Sequence, residues 1–252
     1  MARVFITGST DGLGLANART LLGQGHEVVL HARSTERAAA VGTLGASVVV
    51  GDLSSDTETR SVAEQVNAIG QIDAIIHNAG VYLSGKRIAT TDGHSRTFAV
   101  NVLAPYLLTA LIDRPARLVY VTSGMHHSAS GSLDDLDWTA RNWNASQAYS
   151  ESKLHVAALA AAVAHRWPDV LSNSVDPGWV PTKMGGSDAP DDLELGHDTQ
   201  SWLAVSGDPA ARVSGYYWHH RRHQKPAPQV DDPGFQDRLI DALAAITGTI
   251  LP

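Results

Sequence analysis

Short apolar runs rich in β-branched residues alternate with longer amphipathic segments along most of the chain. A continuous apolar run of about four to eight residues is typical of a buried parallel strand, whereas apolar residues three or four apart indicate a helix. The predicted strands are Val4–Ile6, Glu27–Ala32, Ser47–Val50, Ile72–Ile76, Leu118–Val121 and Val170–Val175. The predicted helices between them are Leu13–Gly23, Thr35–Leu44, Ser55–Ile69 and Thr91–Ile112.

This β-α-β-α order predicts one α/β domain over residues 1–252, with a doubly wound parallel sheet of about seven strands. Helices are expected on both faces of the sheet, because each crossover between parallel strands carries one. In such folds ligands bind at the carboxyl ends of the strands. We therefore expect the functional residues to follow the predicted strands directly.

Composition narrows the class of partner. With 252 residues, 43% of them hydrophobic, the chain can bury one large core. A formal net charge of −7 argues against nucleic acid or an anionic membrane surface as a partner. No apolar run has the length of a membrane span and no signal segment is visible, so we expect a cytoplasmic protein acting on a small molecule. With no cysteine, the chemistry must use oxygen and nitrogen groups.

A glycine-rich segment, Thr7-Gly-Ser-Thr-Asp-Gly-Leu-Gly14, joins the first predicted strand to the first predicted helix. A tight turn followed by a helix start presents free backbone N–H groups to a dinucleotide pyrophosphate, which predicts a Rossmann-type fold. The spacing is Gly-x-x-x-Gly-x-Gly, and glycines in a loop are also common in turns that bind nothing. The residues expected to contact a cofactor here are Gly8, Ser9, Thr10, Gly12, Leu13 and Gly14.

The second strand ends in His31-Ala-Arg33-Ser34, about twenty residues beyond the glycine turn. An acidic residue at this position usually accepts a hydrogen bond from the ribose 2′-hydroxyl of NAD, whereas an arginine pairs with the 2′-phosphate of NADP. We interpret Arg33, with Ser34 beside it, as the selector for NADP(H) over NAD. Asp11 in the glycine turn argues in the opposite direction, since a carboxylate does not bind a phosphate.

Two further strand ends carry candidate cofactor contacts. Asp52, followed by Leu53, either accepts a hydrogen bond from the adenine amino group or caps the next helix. The fourth strand runs into His77-Asn-Ala-Gly80, where small residues let the backbone pass beside a cofactor. Asn-Ala-Gly is equally compatible with a simple turn. The contacts expected here are Asp52, Leu53, Asn78, Ala79 and Gly80.

Tyr149 and Lys153 are four residues apart and share one face of a predicted helix. An ammonium near a phenol favours the phenolate and lowers the pKa of the tyrosine from its usual value near 10, as general acid–base catalysis requires. The spacing alone is a common coincidence on helices. Its position, after the fifth predicted strand and a loop, favours the catalytic interpretation.

In order along the chain, these motifs resemble those of the short-chain dehydrogenase/reductase family, and the resemblance covers nearly the whole sequence. The residues that carry it are Thr7–Gly14, Asp52-Leu53, His77–Gly80, Asn101, Ser123, Tyr149-Ser-Glu-Ser-Lys153 and Pro177-Gly178 with Thr182. The retinol-dehydrogenase-like and WW-domain-oxidoreductase-like branch looks nearest. The segments supporting that branch are Val28–Arg33, Thr122–His127, Leu133–Leu136, Ala148–Leu154, Val213–Tyr217 and a closing helix over Phe235–Thr247.

The resemblance implies roles that spacing alone does not give. It makes Ser123, the second hydroxyl residue of the Thr122-Ser123 pair, the group that polarises the substrate oxygen. It makes Asn101 the residue that bends its helix and holds a water on Lys153. It also implies that the loop after the sixth strand holds the nicotinamide carboxamide, through Pro177, Gly178, Val180 and Thr182.

The resemblance therefore implies an NADP(H)-dependent oxidoreductase that moves hydride between nicotinamide and a carbonyl or alcohol carbon of a hydrophobic small molecule. Tyr149, Lys153, Ser123 and Asn101 form its catalytic set, and Tyr149 and Lys153 also contact the cofactor. Two alternatives stay open: a non-catalytic NADP(H)-binding sensor, and an enzyme that reduces a conjugated C=C bond.

The remaining candidates concern substrate, metal and partner. Trp179, Trp143 and His126 are candidate substrate contacts, and residues 184–195 form a candidate lid. The histidines of residues 219–223 lack carboxylates at ligand spacing, so we expect no metal site, and a solvated surface or subunit contact instead. The alanine-rich face of residues 156–164 either faces the core or packs against a second copy in a homodimer.

Overall fold

Eight strands form one sheet in the computed structural model, which describes all 252 residues, Met1–Pro252. The strands are β1 (Arg3–Ile6), β2 (Glu27–Ala32), β3 (Ser47–Val50), β4 (Ala74–His77), β5 (Arg117–Val121), β6 (Leu171–Asp176), β7 (Tyr217–His219) and β8 (Arg222–Gln224). Their order is β3-β2-β1-β4-β5-β6-β7-β8. All neighbouring pairs are parallel except β7 and β8, which form an antiparallel hairpin at one edge. The predicted doubly wound parallel sheet is confirmed.

Helices cover both faces of the sheet. They are α1 (Gly12–Gly23), α2 (Thr35–Ala39), α3 (Asp56–Ile69), α4 (Arg96–Phe98), α5 (Ala104–Leu111), α6 (Ala145–Arg166), α7 (Leu193–Val205) and α8 (Pro233–Thr247). A π turn over Ala99–Leu103 joins α4 and α5 into one continuous helix. None of these helices combines the length and the apolar content needed to cross a bilayer.

Alternate residues of each strand enter two separate hydrophobic cores. Phe5 of β1 packs in a core with α3, α5, α6 and α8, whereas its neighbours Val4 and Ile6 pack in a second core with α1 and α7. This division follows from the twofold periodicity of a strand, whose successive side chains point to opposite faces. Because both faces are buried, central strands such as β1, β4 and β5 are largely continuous apolar runs rather than alternating ones.

Two predicted helix boundaries are wrong. The segment predicted as a helix over Thr35–Leu44 is α2 followed by a separate 3₁₀ turn over Gly42–Leu44. The helix predicted from Thr91 begins instead at Arg96, because the Ser95 hydroxyl accepts a hydrogen bond from the Phe98 N–H and caps it there. Gly93 lies in a left-handed turn just before this cap. The hairpin of β7 and β8 was not predicted, since each of its strands has only three residues.

Helix α6 is covered by its own chain. Its residues from Ala148 to Ala160 are all buried, and α8 packs against it within the larger core. The residues after α8 continue this cover, since the Tyr106 hydroxyl donates to the Thr249 carbonyl at 2.7 Å. The face at residues 156–164 is therefore a core face, and it gives no support to the homodimer considered from the sequence.

We expect Leu239→Ala in α8 to lower the free energy of unfolding by about 2–5 kcal/mol, because it leaves a cavity beside α6. Leu239 is fully buried in the larger core. Ile246→Ala is the matched control on the same helix, since Ile246 is 39% exposed and should cost less than about 1 kcal/mol. Urea unfolding followed by circular dichroism measures both variants. Equal losses would contradict the packing of α8 described above.

Candidate active site

A single large cavity of about 1050 Å³ opens along the carboxyl edge of the sheet. Its wall combines the glycine turn, the ends of β2 to β7 and the loop after β6. Of the residues predicted to bind a cofactor, all but Ser9, Gly14 and Ser34 lie in this wall. The motifs are far apart in the sequence, and the sheet topology brings them to one edge.

The three exceptions support the wall from behind. The buried Ser9 hydroxyl donates to the Ile6 carbonyl at 2.9 Å and accepts from the His31 N–H at 2.8 Å. Ser34 caps α2 by accepting from the Arg37 N–H. A Cβ at Gly14 would lie 2.4 Å from the Gly8 carbonyl oxygen and 2.5 Å from the Asn78 amide nitrogen. These residues shape the cavity without facing it.

The glycine turn needs its glycines for two different reasons. Gly8 and Gly12 have φ values of +64° and +49°, which side-chain-bearing residues rarely adopt. Gly14 has ordinary helical geometry, but any side chain there would collide with the turn. The Asn78 side-chain amide donates to the Thr7 and Gly8 carbonyls at 2.9 and 3.2 Å, so the end of β4 holds the turn in place.

His31 connects the glycine turn to β3, and the sequence analysis did not identify it as a site residue. Its Nδ1 accepts from the Gly8 N–H at 2.9 Å, and its Nε2 lies 2.8 Å from the Gly51 carbonyl oxygen. Nδ1 can accept only when it carries no proton, so the ring is neutral with its proton on Nε2. Burial lowers the pKa of His31, which favours this neutral form.

Charged residues at the glycine turn are already paired. Asp11 caps α1 by accepting from the Gly12 N–H and forms ion pairs with Lys183 and with Arg37 at 3.2 Å. The hydrogen bond from Lys183, followed by that from Arg37, holds the pKa of Asp11 below its usual value despite partial burial. Asp11 therefore brings no uncompensated negative charge to the turn. Arg33 lines the same cavity and makes no hydrogen bond or ion pair within the protein.

Asp52 does not cap the helix that follows it. Ser55 does so, by accepting from the Glu58 N–H at 3.4 Å. One carboxylate oxygen of Asp52 accepts from the Ser54 N–H at 2.9 Å, which fixes the side chain at the cavity wall. Of the two sequence interpretations, the helix cap is therefore excluded.

Tyr149 and Lys153 lie on the first turns of α6 and face the cavity. The Lys153 ammonium lies 5.6 Å from the centroid of the Tyr149 ring and donates to the Val121 carbonyl at 2.8 Å. Burial lowers the pKa of Lys153 to about 8, and the negative charge of Asp176 limits that fall. The pKa of Tyr149 was predicted to fall beside Lys153, and this is wrong: burial raises the pKa of Tyr149 to about 12, although the nearby Ser123 hydroxyl lowers it.

Thr122 and Ser123 occupy different positions at the end of β5. The Thr122 hydroxyl is buried and donates to the Lys153 carbonyl at 2.7 Å, so it is committed to α6. Ser123 is partly exposed to the cavity, and its hydroxyl only accepts from the Met125 N–H at 3.3 Å. The Ser123 proton is therefore free to be donated to a ligand.

Asn101 lies in the π turn between α4 and α5. Its amide is bonded to both backbone groups of Val81, at 2.8 and 3.0 Å, and donates to the Ser152 hydroxyl at 2.9 Å. A Cβ at Gly80 would lie 3.3 Å from the Lys153 ammonium and 3.5 Å from the Asn101 amide oxygen. Asn101 is thus outside the cavity wall but converges with Lys153 behind Gly80.

The loop after β6 folds over the cavity. The Trp179 indole is 59% exposed, lines the cavity and donates to the Gly185 carbonyl at 2.8 Å. Met184 lies beside Tyr149, since its sulfur is 4.0 Å from the Tyr149 hydroxyl. The candidate lid over residues 184–195 ends earlier than predicted, because α7 begins at Leu193 under an Asp192 cap.

Three sequence interpretations need correction. His126 is fully buried, with its ring nitrogens bonded to the Ser123 carbonyl and the Ala227 N–H, so it cannot line a substrate entrance. Trp143 lies outside the cavity and packs edge-on against Trp138. His219 was expected on a solvated surface or a subunit contact, but it lines the cavity. No three histidine, aspartate or glutamate side chains converge as metal ligands.

Solved structures share this architecture. An uncharacterized protein from Mycobacterium paratuberculosis superposes with a TM-score of 0.85 and 25% identity, over 100% of this chain and 95% of the other. A blue fluorescent protein from a metagenomic library, crystallised with NADPH, gives a TM-score of 0.70 and 21% identity, over 86% of this chain and 95% of the other. At 21% identity, the likeness to the blue fluorescent protein shows the fold alone.

Sequence relatives establish the family. The family model described as enoyl-(acyl carrier protein) reductase matches residues 8–212. The short-chain dehydrogenase chyC of Penicillium rubens is 44% identical, with 100% of both chains covered. Retinol dehydrogenase 13 of Homo sapiens is 28% identical, over 99% of this chain and 85% of the human protein, so the likeness to that branch is present at lower identity. The chain therefore belongs to the short-chain dehydrogenase/reductase family of oxidoreductases.

Proposed function

We propose that this oxidoreductase uses NADP(H) to reduce a carbonyl compound, or to oxidise the corresponding alcohol, with Tyr149 as the general acid or base. The observation that carries the proposal is the convergence of Tyr149, Lys153 and Ser123, whose hydroxyl proton is free, on one cavity with the glycine turn. Geometry of this kind serves proton transfer to an oxygen atom. The cavity is also large enough for a dinucleotide and a small substrate together.

The residues present fit a nicotinamide dinucleotide. The turn at Gly8 and Gly12 leaves backbone, rather than side chains, facing the cavity beside α1, as a pyrophosphate requires. Asp52 would accept from the adenine amino group, and the loop from Pro177 to Thr182 would hold the nicotinamide. Arg33 is a cation without a counter-ion at the cavity wall, which favours a 2′-phosphate as its partner. Arg37, which the sequence analysis missed, is a second cation beside it.

The protein's own groups would donate the proton and replace it. Tyr149 is protonated at neutral pH, since its pKa is about 12, and would donate its proton to the carbonyl oxygen. Ser123 would donate a second hydrogen bond to that oxygen, and a donor so placed is typically worth a few kcal/mol in the transition state. The bound cofactor would supply the hydride. Lys153 and Asn101, which meet behind Gly80, would return a proton to Tyr149 from solvent.

The cavity wall favours a hydrophobic substrate near Tyr149. Tyr82 contacts the Tyr149 ring edge-on at 5.0 Å between centroids, and Met184 and Trp179 lie across the opening. Aromatic and thioether surfaces of this kind suit flat or apolar ligands. The human relative is named for retinol, a hydrophobic alcohol, which agrees with this wall without identifying the substrate.

One observation favours a second chemistry. The matching family model is described as an enoyl reductase, which keeps reduction of a conjugated C=C bond as a candidate. A conjugated enone such as 4-phenyl-3-buten-2-one carries both reducible bonds in one molecule. Product analysis with this probe separates the candidates, since carbonyl reduction gives the allylic alcohol and C=C reduction gives the saturated ketone.

We expect the native protein to bind NADPH more tightly than NADH and to oxidise it when aromatic or aliphatic ketones are added. Tyr149→Phe should abolish turnover while retaining NADPH binding, because only the transferable proton is removed. Arg33→Ala should weaken NADPH binding with little effect on NADH. Nicotinamide fluorescence and absorbance at 340 nm measure binding and turnover in the same sample.

Each alternative gives a different result. Near-native turnover by Tyr149→Phe would overturn the mechanism, and a native preference for NADH would overturn the role of Arg33. Tight NADPH binding with no turnover across aldehydes, ketones and enones would instead support the cofactor-binding sensor.

We expect His31→Gln to weaken NADPH binding by about tenfold or more, because it leaves the Gly8 N–H without an acceptor. A glutamine amide reaches the Nε2 position and keeps the bond to Gly51. His31→Asn is the matched control, since its amide oxygen takes the Nδ1 position and keeps the Gly8 bond. Fluorescence titration gives both dissociation constants, and thermal melting measures any general loss of stability. An equal effect of the two variants on NADPH binding would show that the Gly8 bond is unimportant.

NADPH binding should weaken as the pH rises through about 8, the pKa of Lys153 in the cofactor-free protein. Below this pH the buried group is an ammonium that attracts the anionic cofactor, and above it the group is neutral. The loss of one charge near the cofactor corresponds to about three- to tenfold in affinity. Titrations between pH 7 and 9.5 measure the effect, and Lys153→Met should remove it. An identical pH profile in this variant would assign the effect to another group.

A further inference from the structure

Asp176, the last residue of β6, is a carboxylate in the cavity wall that the proposed mechanism does not use. Its side chain is only 13% exposed. One oxygen accepts from the Gly178 N–H at 3.0 Å and the other from the Tyr217 hydroxyl at 3.2 Å. A carboxylate has about four acceptor positions, so these two bonds leave capacity for a ligand.

The Asp176 carboxylate lies close to Gly124, which follows Ser123 in the chain. A Cβ at Gly124 would lie 3.1 Å from a carboxylate oxygen of Asp176. Gly124 directly follows Ser123, and consecutive Cα atoms are about 3.8 Å apart. Asp176 therefore lies beside Gly124, the residue that directly follows Ser123, whose hydroxyl would hold the substrate oxygen.

His219 stands beside Asp176 on the neighbouring strand, where the two residues are paired in the register of β6 and β7. Its Nδ1 lies 3.2 Å from the Asp176 carbonyl oxygen and 3.7 Å from the carboxylate, so Nδ1 carries a proton and donates. Nε2 makes no hydrogen bond within the protein and is not buried, and His219 is one of the residues that line the cavity. The His220 ring stacks on the imidazole at 3.8 Å and fixes its orientation.

The electrostatic properties of Asp176 and His219 determine which ligand groups the two residues would bind. The carboxylate contributes to raising the pKa of Tyr149 and opposes the fall in the pKa of Lys153, so its negative charge is felt at the reaction centre. An imidazole with Nδ1 donating offers Nε2 as an acceptor. Both groups therefore attract hydrogen-bond donors, and the carboxylate repels anions.

We propose that Asp176 and His219 form a second substrate subsite, which binds a hydroxyl group on the carbon atom next to the reacting carbonyl carbon. The substrate class is then a neutral α-hydroxy carbonyl compound, or the vicinal diol it yields, and α-keto carboxylates are excluded. This subsite rests on the proposed carbonyl chemistry at Tyr149.

Three phenyl ketones that differ at one position test the subsite: acetophenone, 2-hydroxyacetophenone and phenylglyoxylate. The measured quantity is kcat/KM for each ketone with NADPH, expressed as the ratio of hydroxyketone to plain ketone. Comparing this ratio between native protein and variants cancels the intrinsic reactivity of the ketones. We expect it to fall about tenfold in His219→Phe and in Asp176→Asn, as loss of a hydrogen bond to a charged or polarised group implies.

Asp176→Asn should also improve phenylglyoxylate relative to acetophenone, because it removes the repulsive charge. His223→Phe is the matched control, since this histidine lies on β8 outside the cavity, and it should leave every ratio unchanged. A binding measurement supports the kinetics: in the Tyr149→Phe protein with NADPH bound, the hydroxyketone should bind more tightly than acetophenone, and His219→Phe should remove the difference.

Unchanged ratios in both subsite variants would overturn the subsite, even if all three ketones are reduced and the carbonyl chemistry is correct. Equal binding of hydroxyketone and plain ketone to the Tyr149→Phe complex would overturn it as well, whether or not any ketone is turned over. Failure of the proposed function looks different, because the native protein would then oxidise NADPH with no carbonyl compound, whether or not it binds the cofactor.

Discussion

The burial of α6 is the constraint on which the rest of the structure depends. This helix carries Tyr149 and Lys153 on its first turns and packs in the larger core along most of its remaining length. Even the side chain of Glu151, a charged residue of this helix, is only 1% exposed. Burial alone would raise the pKa of Glu151, but a bidentate pair with Arg141, at 2.6 and 2.9 Å, keeps the pKa below its usual value. The position of the Tyr149 phenol is thus set by packing over the whole helix.

Electrostatic balance is the second organising feature of the cavity. Asp11 is neutralised by Lys183 and Arg37, and the field of Asp176 reaches Lys153, so these charges are compensated within the wall. Arg33 is a cation of the same wall that has no ion-pair partner, which favours it as the group that would bind an anion.

The sequence predicted the parallel sheet well because its signals are local. Runs such as Val4–Ile6 are apolar and β-branched, and the glycine turn has a backbone requirement that is visible in its residue types. The contacts of His31, Asp176 and His219 could not be predicted, since each depends on register between strands distant in the chain. The prediction of His126 as a substrate contact was wrong because a bond to the distant Ala227, which no local pattern reveals, buries this histidine.

The cover that α8 provides for α6 has a consequence for the order of assembly. During synthesis the helix with the reacting groups emerges well before Pro233–Thr247, the segment that completes its core. Until that segment arrives, the apolar side of α6 is open to solvent or to other chains. The sheet and the glycine turn are encoded upstream, so the edge of the sheet that carries the turn can form first, and the helix that carries Tyr149 and Lys153 is covered last.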